Sequence, residues 1–490
     1  MLERRSAVGV ARPPEPRAAL GESARRDSPV FHSPPAADPS RIIRPVPPLP
    51  RRPIPSHKIN VLLVGGGGRE HSLAWKLRQS PRLGSLYTTH INNPGLAELC
   101  KPMDAPFIMK EIYRTEQFCR RADIHLVIVG PEDPLAEGIT DKLSSPDRLV
   151  FGPVQEGALI ESDKAWAKRL MRSALIPTAE ARTFRDAAAA IDYLRTREVA
   201  PVVKAAGLAK GKGVIVAATI DEAVAAVERI MLQKEFGPAG DEILIEEKLQ
   251  GPEVSVFALT DGRDFVILDA AQDHKRLLDG DKGPNTGGMG AFCPTPLLDA
   301  KLMARIQRDI LIPTIDALRR EGVEYRGVLY AGLMLTPAGP KVLEFNARFG
   351  DPECQALMLR CKGDLLELLY ATAAGCLADA KDVAWDPRAS CCIVLAAPGY
   401  PDEPRKGVPI TGIEKAQAMP DTAIFHAGTE RRSPGGAGGE LVTAGGRVLN
   451  VVALGSDLTE ARTKALAAAD EIKFEGKQCR RDIGAKAAKG

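Results

Sequence analysis

The run Ile59-Asn60-Val61-Leu62-Leu63-Val64 is broken by Gly65-Gly66-Gly67-Gly68 and followed by a helical pattern from Arg69 to Gln79. A short apolar run reads as a buried strand, glycines permit a tight turn, and the periodicity beyond them is that of a helix. A second apolar run, Leu126-Val127-Ile128-Val129, also ends on a glycine, Gly130. Strand and helix in alternation imply a parallel sheet with helices on its faces. Four glycines exceed what a turn requires. Exposed N–H groups at a helix N-terminus, with Arg69 beside them, favour a bound phosphate. The stretch is not a dinucleotide fingerprint, because G-x-G-x-x-G needs glycine at Glu70 or His71. Nor does an acid close the second strand near Tyr87–His90, where a ribose partner belongs.

At 490 residues the chain exceeds one hydrophobic core, so several domains are expected. Its 44% hydrophobic and 26% charged residues are those of a soluble globular protein. A net charge of +3 gives no case for nucleic acid as a partner. No apolar run approaches the roughly twenty residues of a membrane span. The nine cysteines are odd in number and scattered, without a C-x-x-C pair. That pattern excludes a disulfide framework or zinc site and points to the cytoplasm. Residues 1–57 are dominated by Pro and Arg and cannot bury enough apolar surface to offset their ordering entropy. They read as a disordered, partly polyproline tail, with order beginning at Lys58. Proline density argues against the amphipathic helix of a targeting signal.

Beyond the first sheet, Asp163 to Ser173 reads as a helix, Pro201–Lys204 as a strand, and Asp221 to Leu232 as a helix with Asp221 near its cap. Glu242–Glu247 and Glu253–Leu259 are further strands, and strands around one helix resemble a small α+β lid. From Ser390 the texture changes. Cys391–Leu395 and Val448–Leu454 are strands separated by turns such as Ser433-Pro434-Gly435-Gly436, and Leu458 to Glu471 is an alanine-rich helix. This is a C-terminal domain.

Three segments carry chemistry. Asp273-His274-Lys275-Arg276 puts cations and a histidine before Gly283-Pro284-Asn285-Thr286-Gly287-Gly288-Met289-Gly290, whose backbone can approach an anion with no side chain in the way. Gly207-Leu208-Ala209-Lys210-Gly211-Lys212-Gly213 is too short for a Walker loop and lacks its Ser/Thr, yet can fold over phosphates. Glu344 and Asn346 alternate along a strand and face one way, offering a carboxylate and an amide oxygen to a hard cation, with Arg348 close by. No Ser/His/Asp or nucleophilic cysteine arrangement stands out.

From Lys58 onward the chain resembles the phosphoribosylamine–glycine ligase family, ATP-grasp enzymes of purine biosynthesis. The resemblance rests on Gly67–His71, Val129–Leu135, Leu208–Val214, Asp273–Arg276, Gly283–Gly290, Glu344–Glu353, Phe425–Thr429 and Cys479–Gly484. It implies a multi-domain α/β ATP-grasp fold. A Rossmann-like parallel-sheet domain spans 58–161, an α+β ATP-grasp core spans 162–385 with its lid at about 182–249, and a small α+β domain spans 386–490. It implies ligation of glycine to 5-phosphoribosylamine through glycyl phosphate, with ATP as co-substrate and Mg²⁺ or Mn²⁺ on Glu344 and Asn346. The partners would be small molecules, not nucleic acid or membrane, and the chain a monomer or weak homodimer in the cytoplasm. By the same resemblance Lys164 and Lys204 contact phosphates, and the loop with Gly211, Lys212 and Gly213 closes over them. Adenine lies against Glu246, Glu247, Lys248 and Leu249, with Glu253 on the ribose. Asp273, His274, Lys275 and the loop Asn285, Thr286, Gly287, Gly288, Met289, Gly290 line the acyl-transfer site, where Arg348 stabilises developing charge. Gly66, Gly67, Gly68 and Arg69 take the ribose 5-phosphate, with Glu132 near the amine. The chain departs from the family at His90–Gly95, where Pro-Gly-Asn-x-Gly is usual, and at Lys248, where a large apolar residue is common. The proline-rich tail also has no counterpart. Three rivals are another ATP-grasp ligase, a nucleotide-binding regulatory protein that has lost catalysis, and a dinucleotide oxidoreductase, against which the broken glycine fingerprint counts. The first lacks the Asp273–Arg276 and Gly283–Gly290 combination; retained Glu344, Asn346, Lys204 and Asp273 weigh against the second.

Overall fold

A computed structural model describes residues 51–209, 211–380, 383–432 and 439–489. Residues 1–50 of the tail, Lys210 of the glycine loop and the turn Ser433–Gly436 lie outside the described residues. The first sheet has five parallel strands in the spatial order Lys101–Pro102, Leu83–Thr88, Ile59–Val64, Leu126–Val129, Leu149–Phe151. The central strand is apolar except at Asn60 because both of its faces are covered. Ile59, Val61 and Leu63 enter one hydrophobic cluster, Leu62 and Val64 the opposite one. Strand order reverses beside Ile59–Val64, and in open parallel sheets ligands bind at such a switch point, beyond the carboxyl ends of the strands.

A four-stranded antiparallel sheet follows: Phe265–Ile267, Glu253–Thr260, Gly327–Thr336, Gly339–Asn346. The strand from Glu253 therefore belongs to this core sheet and not to the lid. The lid is a separate antiparallel sheet of Ala181–Phe184, Ile243–Glu246, Val202–Ala205 and Val214–Val216. It carries two helices, Ala187–Arg195 and Ile220–Val227, where one was expected, and they share its small apolar core. Thr219, not Asp221, caps the second helix by accepting from the Glu222 N–H at 3.1 Å.

The C-terminal sheet is mixed in origin. Its strands run Gln272–Asp273, Gly290–Cys293, Ala389–Ala396, Arg447–Gly455, Thr422–His426, with helix Leu458–Glu471 packed on it. Two of the five come from the ATP-grasp stretch, so the glycine-rich loop is stitched into the next domain. The ordered chain also starts earlier than Lys58. Ile54 packs on the first core, the Arg52 N–H donates to the Ala374 carbonyl, and Arg82 donates to the Pro55 carbonyl. One half-buried apolar residue and two docked backbone groups hold an arm that composition alone assigns to the tail. Among the described residues all nine cysteines are free, and eight are buried. No helix of the described residues is long and apolar enough to cross a membrane.

Candidate active site

One cleft of about 1420 Å³ runs between the first sheet, the core sheet, the lid and the C-terminal sheet. Single small-molecule sites span roughly 300–1,000 Å³, so this one has room for two ligands side by side. Its floor is the strand Gly339–Asn346. Phe345 points into the hydrophobic core, and alternation then turns Glu344 and Asn346 into the cleft. A bulge opposite Gly332 and Leu333 precedes Glu344 and re-aims this end of the strand.

Cations converge on Glu344. Lys275 lies 3.9 Å from it and 3.3 Å from Glu253. Burial opposes charge on Glu344, but Lys275, Lys204, Lys164 and Arg348 together hold its carboxyl below the ordinary range. The Lys275 ammonium is pushed well up, first by Glu253, against burial, with Glu344 adding to it. A second cluster lies under the lid. Lys204 and Lys168 flank the buried Glu246 carboxylate at 2.9 and 3.3 Å. Lys204 also donates to the Leu343 carbonyl, which ties the lid to the strand that carries Glu344 and Asn346. Burial lowers Lys168 to about 8 and also lowers Lys164.

Glu246, expected to lie against adenine, has its side chain engaged as the counter-ion of both lysines. Lys168 was missed, although it sits one turn from Lys164 on helix Lys164–Ser173, where spacing of four places two side chains on one face. Glu247, Lys248, Leu249, Gly211, Lys212 and Gly213 also line the cleft.

At the other end, Asp273 is half-buried, and its carboxyl is raised well above the usual range by desolvation and by Glu353. Glu353 accepts from the Tyr330 hydroxyl at 2.6 Å. Arg348 reaches Glu161 at 3.0 Å and Glu132 at 3.3 Å, joining the core strand to the first domain. Arg348 and Arg69 hold Glu132 below its ordinary range against burial. Arg447 pairs with Asp351 at 3.1 Å and donates to the Gly287 carbonyl. It comes from the C-terminal sheet, and no local pattern marks it.

The glycine turn is already occupied in part. Glu70 accepts from the Gly67 N–H at 2.6 Å and from Arg69 Nε at 2.7 Å, so the chain's own carboxylate sits at the helix N-terminus. Arg69 donates further to the Phe349 carbonyl. Gly66, Gly67 and Arg69 line the cleft; Gly68 does not. A Cβ on Gly68 would meet the Asn450 amide at 2.1 Å, so that glycine serves close packing.

The loop after Lys275 divides in the same way. Asn285, Thr286 and Gly287 line the cleft, whereas Gly288, Met289 and Gly290 do not. Met289 is fully buried, and Gly290 is a strand residue paired with Ile393. Gly288, at φ +112°, lets the backbone pass against Pro352 and Asp273. His274 lines the cleft, but its Nε2 accepts from the Gly484 N–H at 3.4 Å, and burial depresses it to about 4. His90, from the divergent loop, lies against Gly66, while Asn93 caps the helix Pro94–Leu99.

Glu344 and Asn346 suit a hard divalent cation. One is an ionised carboxylate, the other an amide, and both face the cleft. Among the described residues no group of three or more His, Cys, Asp or Glu could hold a metal unaided. A cation on this pair would take its other ligands from phosphate and water, as magnesium prefers.

A grasp of two α+β sheets over a lysine-lined cleft, behind a parallel-sheet domain, defines an ATP-grasp enzyme. The chain belongs to the phosphoribosylglycinamide synthetase family: its N domain matches residues 59–161, its ATP-grasp (A) domain 162–354 and its C domain 390–486. A phosphoribosylamine–glycine ligase of Rhodopirellula baltica is 48% identical over 88% of this chain and 98% of its own length. One from Nostoc is 47% identical over 87% and 99%. The crystal structure of the Thermotoga maritima phosphoribosylamine–glycine ligase superposes with a TM-score of 0.74 at 31% identity, covering 87% of this chain and all of that one.

Proposed function

We propose that the chain joins glycine to 5-phosphoribosylamine, with ATP cleaved to ADP and phosphate. A carboxylate is a poor electrophile, so the γ-phosphoryl group first passes to the glycine carboxyl. The amine then attacks the acyl carbon of glycyl phosphate, and phosphate leaves. Such chemistry asks for positioning and charge neutralisation rather than a protein nucleophile.

Lys164, Lys168 and Lys204 face the triphosphate, with the loop of Gly211, Lys212 and Gly213 above it. Glu246, Glu247 and Leu249 border the adenine, and Glu253, held by Lys275, borders the ribose. Glu344 and Asn346 would hold Mg²⁺ or Mn²⁺, which when bound neutralises polyphosphate charge. Arg348 stabilises charge developing near the glycyl carboxyl. Asp273, half-buried beside Glu353 and raised in proton affinity, takes up the proton that the amine loses. Asn285, Thr286 and Gly287 shape the acyl-transfer end. The ribose 5-phosphate lies by Gly66, Gly67 and Arg69, with Glu132 towards the amine.

The observation that carries this reading is the meeting of two charge environments in one cleft. The Glu344–Lys275–Glu253 chain and the lysines under the lid suit a metal–polyphosphate, while the switch point of the parallel sheet offers a second anion site. The test is ADP release with ATP, glycine and phosphoribosylamine varied one at a time. Full turnover is expected only with all three; full-rate ADP release without glycine or without the amine contradicts the reading.

A further inference from the structure

On the surface away from the cleft lies a second cavity of about 160 Å³. Arg52 of the arm, Thr140, Arg148 and Gly152 of the first domain, and Arg326 of the core line it. Arg148 is only 5% exposed. Its Nε donates to the Leu143 carbonyl, and its terminal nitrogens have no hydrogen-bond or ion-pair partner among the described residues. A cation so buried is normally paired, because removing it from water is costly. Arg326 is 8% exposed; its Nη1 donates to the Ala373 carbonyl, while Nε and Nη2 are buried without a hydrogen-bond partner. Glu324 approaches Arg326 Nε at 3.4 Å without hydrogen-bond geometry, and its side chain is 42% exposed. Asp141 also borders the cavity, but its carboxylate accepts from the Gln155 N–H. Arg52 is tied to the Ser145 and Pro146 carbonyls, which brings a third guanidinium to the rim.

We propose that this cavity is a binding site for a small tetrahedral oxyanion of the phosphate class, held by Arg148, Arg326 and Arg52. Three guanidiniums present forked donors suited to phosphate oxygens. The cavity is well below the roughly 300 Å³ at which sites for whole small molecules begin, so it takes a free ion or a single phosphate group and not a nucleotide. Because its walls come from the arm, the first domain and the core, the bound anion fastens the three together and raises their stability by mass action.

The full chain is crystallised with millimolar selenate, and its anomalous signal is located. Its melting temperature is also followed against sodium phosphate and against adenosine monophosphate at constant ionic strength, with ADP saturating the cleft. A selenium peak within hydrogen-bond distance of Arg148 and Arg326 is expected, with a rise of a few degrees in phosphate (converted through). That rise should be mostly lost in Arg148→Gln, with ligase turnover unchanged. A rise with adenosine monophosphate equal to that with phosphate would identify a phosphate group rather than the free ion. Should Arg148→Gln not fold, Arg52→Gln replaces it, with at least a halved shift expected. Absence of selenium from the cavity, or an undiminished shift in the variants, overturns the proposal.

Discussion

Glu344 is the residue on which the cleft's charges converge. Replacing Glu344 by Ala removes an ionised carboxylate from among Lys275, Lys204 and Lys164 while leaving Phe345 in the core. Ligation should fall by about a hundred- to a thousandfold, the scale of losing a charge-stabilising group. The urea unfolding midpoint should stay near wild type; wild-type turnover in Glu344→Ala contradicts the role given to it. Two buried histidines make a separate prediction. Burial depresses His71 to about 3, with the nearby His426 adding to it, and depresses His426 to about 4. Unfolded, each would protonate near 6.5, so as the pH falls below that value the unfolded state binds protons that the folded state refuses. Stability is therefore intact above about pH 6.5 and falls towards pH 4, by about 1.4 kcal/mol per pH unit for each histidine. In His71→Gln the slope of unfolding free energy between pH 6 and 4 should be shallower by about one proton; an unchanged slope refutes the assignment.

The elements were unequally legible in the sequence. Apolar runs such as Ile59–Val64 and Val448–Leu454 announce strands, because burial on both faces leaves continuous hydrophobicity. Gln272–Asp273 and Gly290–Cys293 did not announce their sheet, since pieces of two to four residues carry no periodicity and the strand that joins them to the rest, Ala389–Ala396 beside Gly290–Cys293, is remote in the chain. The glycines of the 283–290 loop misled for a related reason. Sequence does not distinguish glycine needed for close packing, as at Gly288 and Gly290, from glycine that lines the cleft, as at Gly287. The C-terminal segment was quoted as a motif without a role, and the structure supplies one. Arg480, 1% exposed, pairs with Asp281 and Asp482 at 2.9 and 2.7 Å and donates to the Arg276 carbonyl. It thereby fixes the hairpin Arg276–Leu278 and Lys282–Asn285 at the edge of the cleft. Arg480→Met should lower stability by about 2 kcal/mol, the scale of losing hydrogen bonds to a charged group. Chemical denaturation measures this, and a change under about 0.5 kcal/mol, the range of neutral surface substitutions, contradicts it.

At the scale of the whole molecule, both cavities lie where domains meet, and the arm at 51–57 belongs to the folded unit. Removing residues 1–50 should leave both turnover and melting temperature unchanged. Removing residues 1–57 takes away Ile54 and the bonds of Arg52 and Pro55, and should cost about 2 kcal/mol from burial and hydrogen bonding together. Calorimetry of the two truncations separates these outcomes, and equal stability of both would show the arm's contacts to be idle. The domains were legible in outline because each carries its own strand and helix pattern; the arm was not, because seven residues with one half-buried apolar side chain look like tail. The central claim is that the glycine carboxyl is activated as a mixed anhydride with phosphate before the amine attacks. Turnover with glycine carrying ¹⁸O in its carboxyl tests it most directly. One labelled oxygen should appear in each released phosphate, and phosphate free of the label would contradict the account.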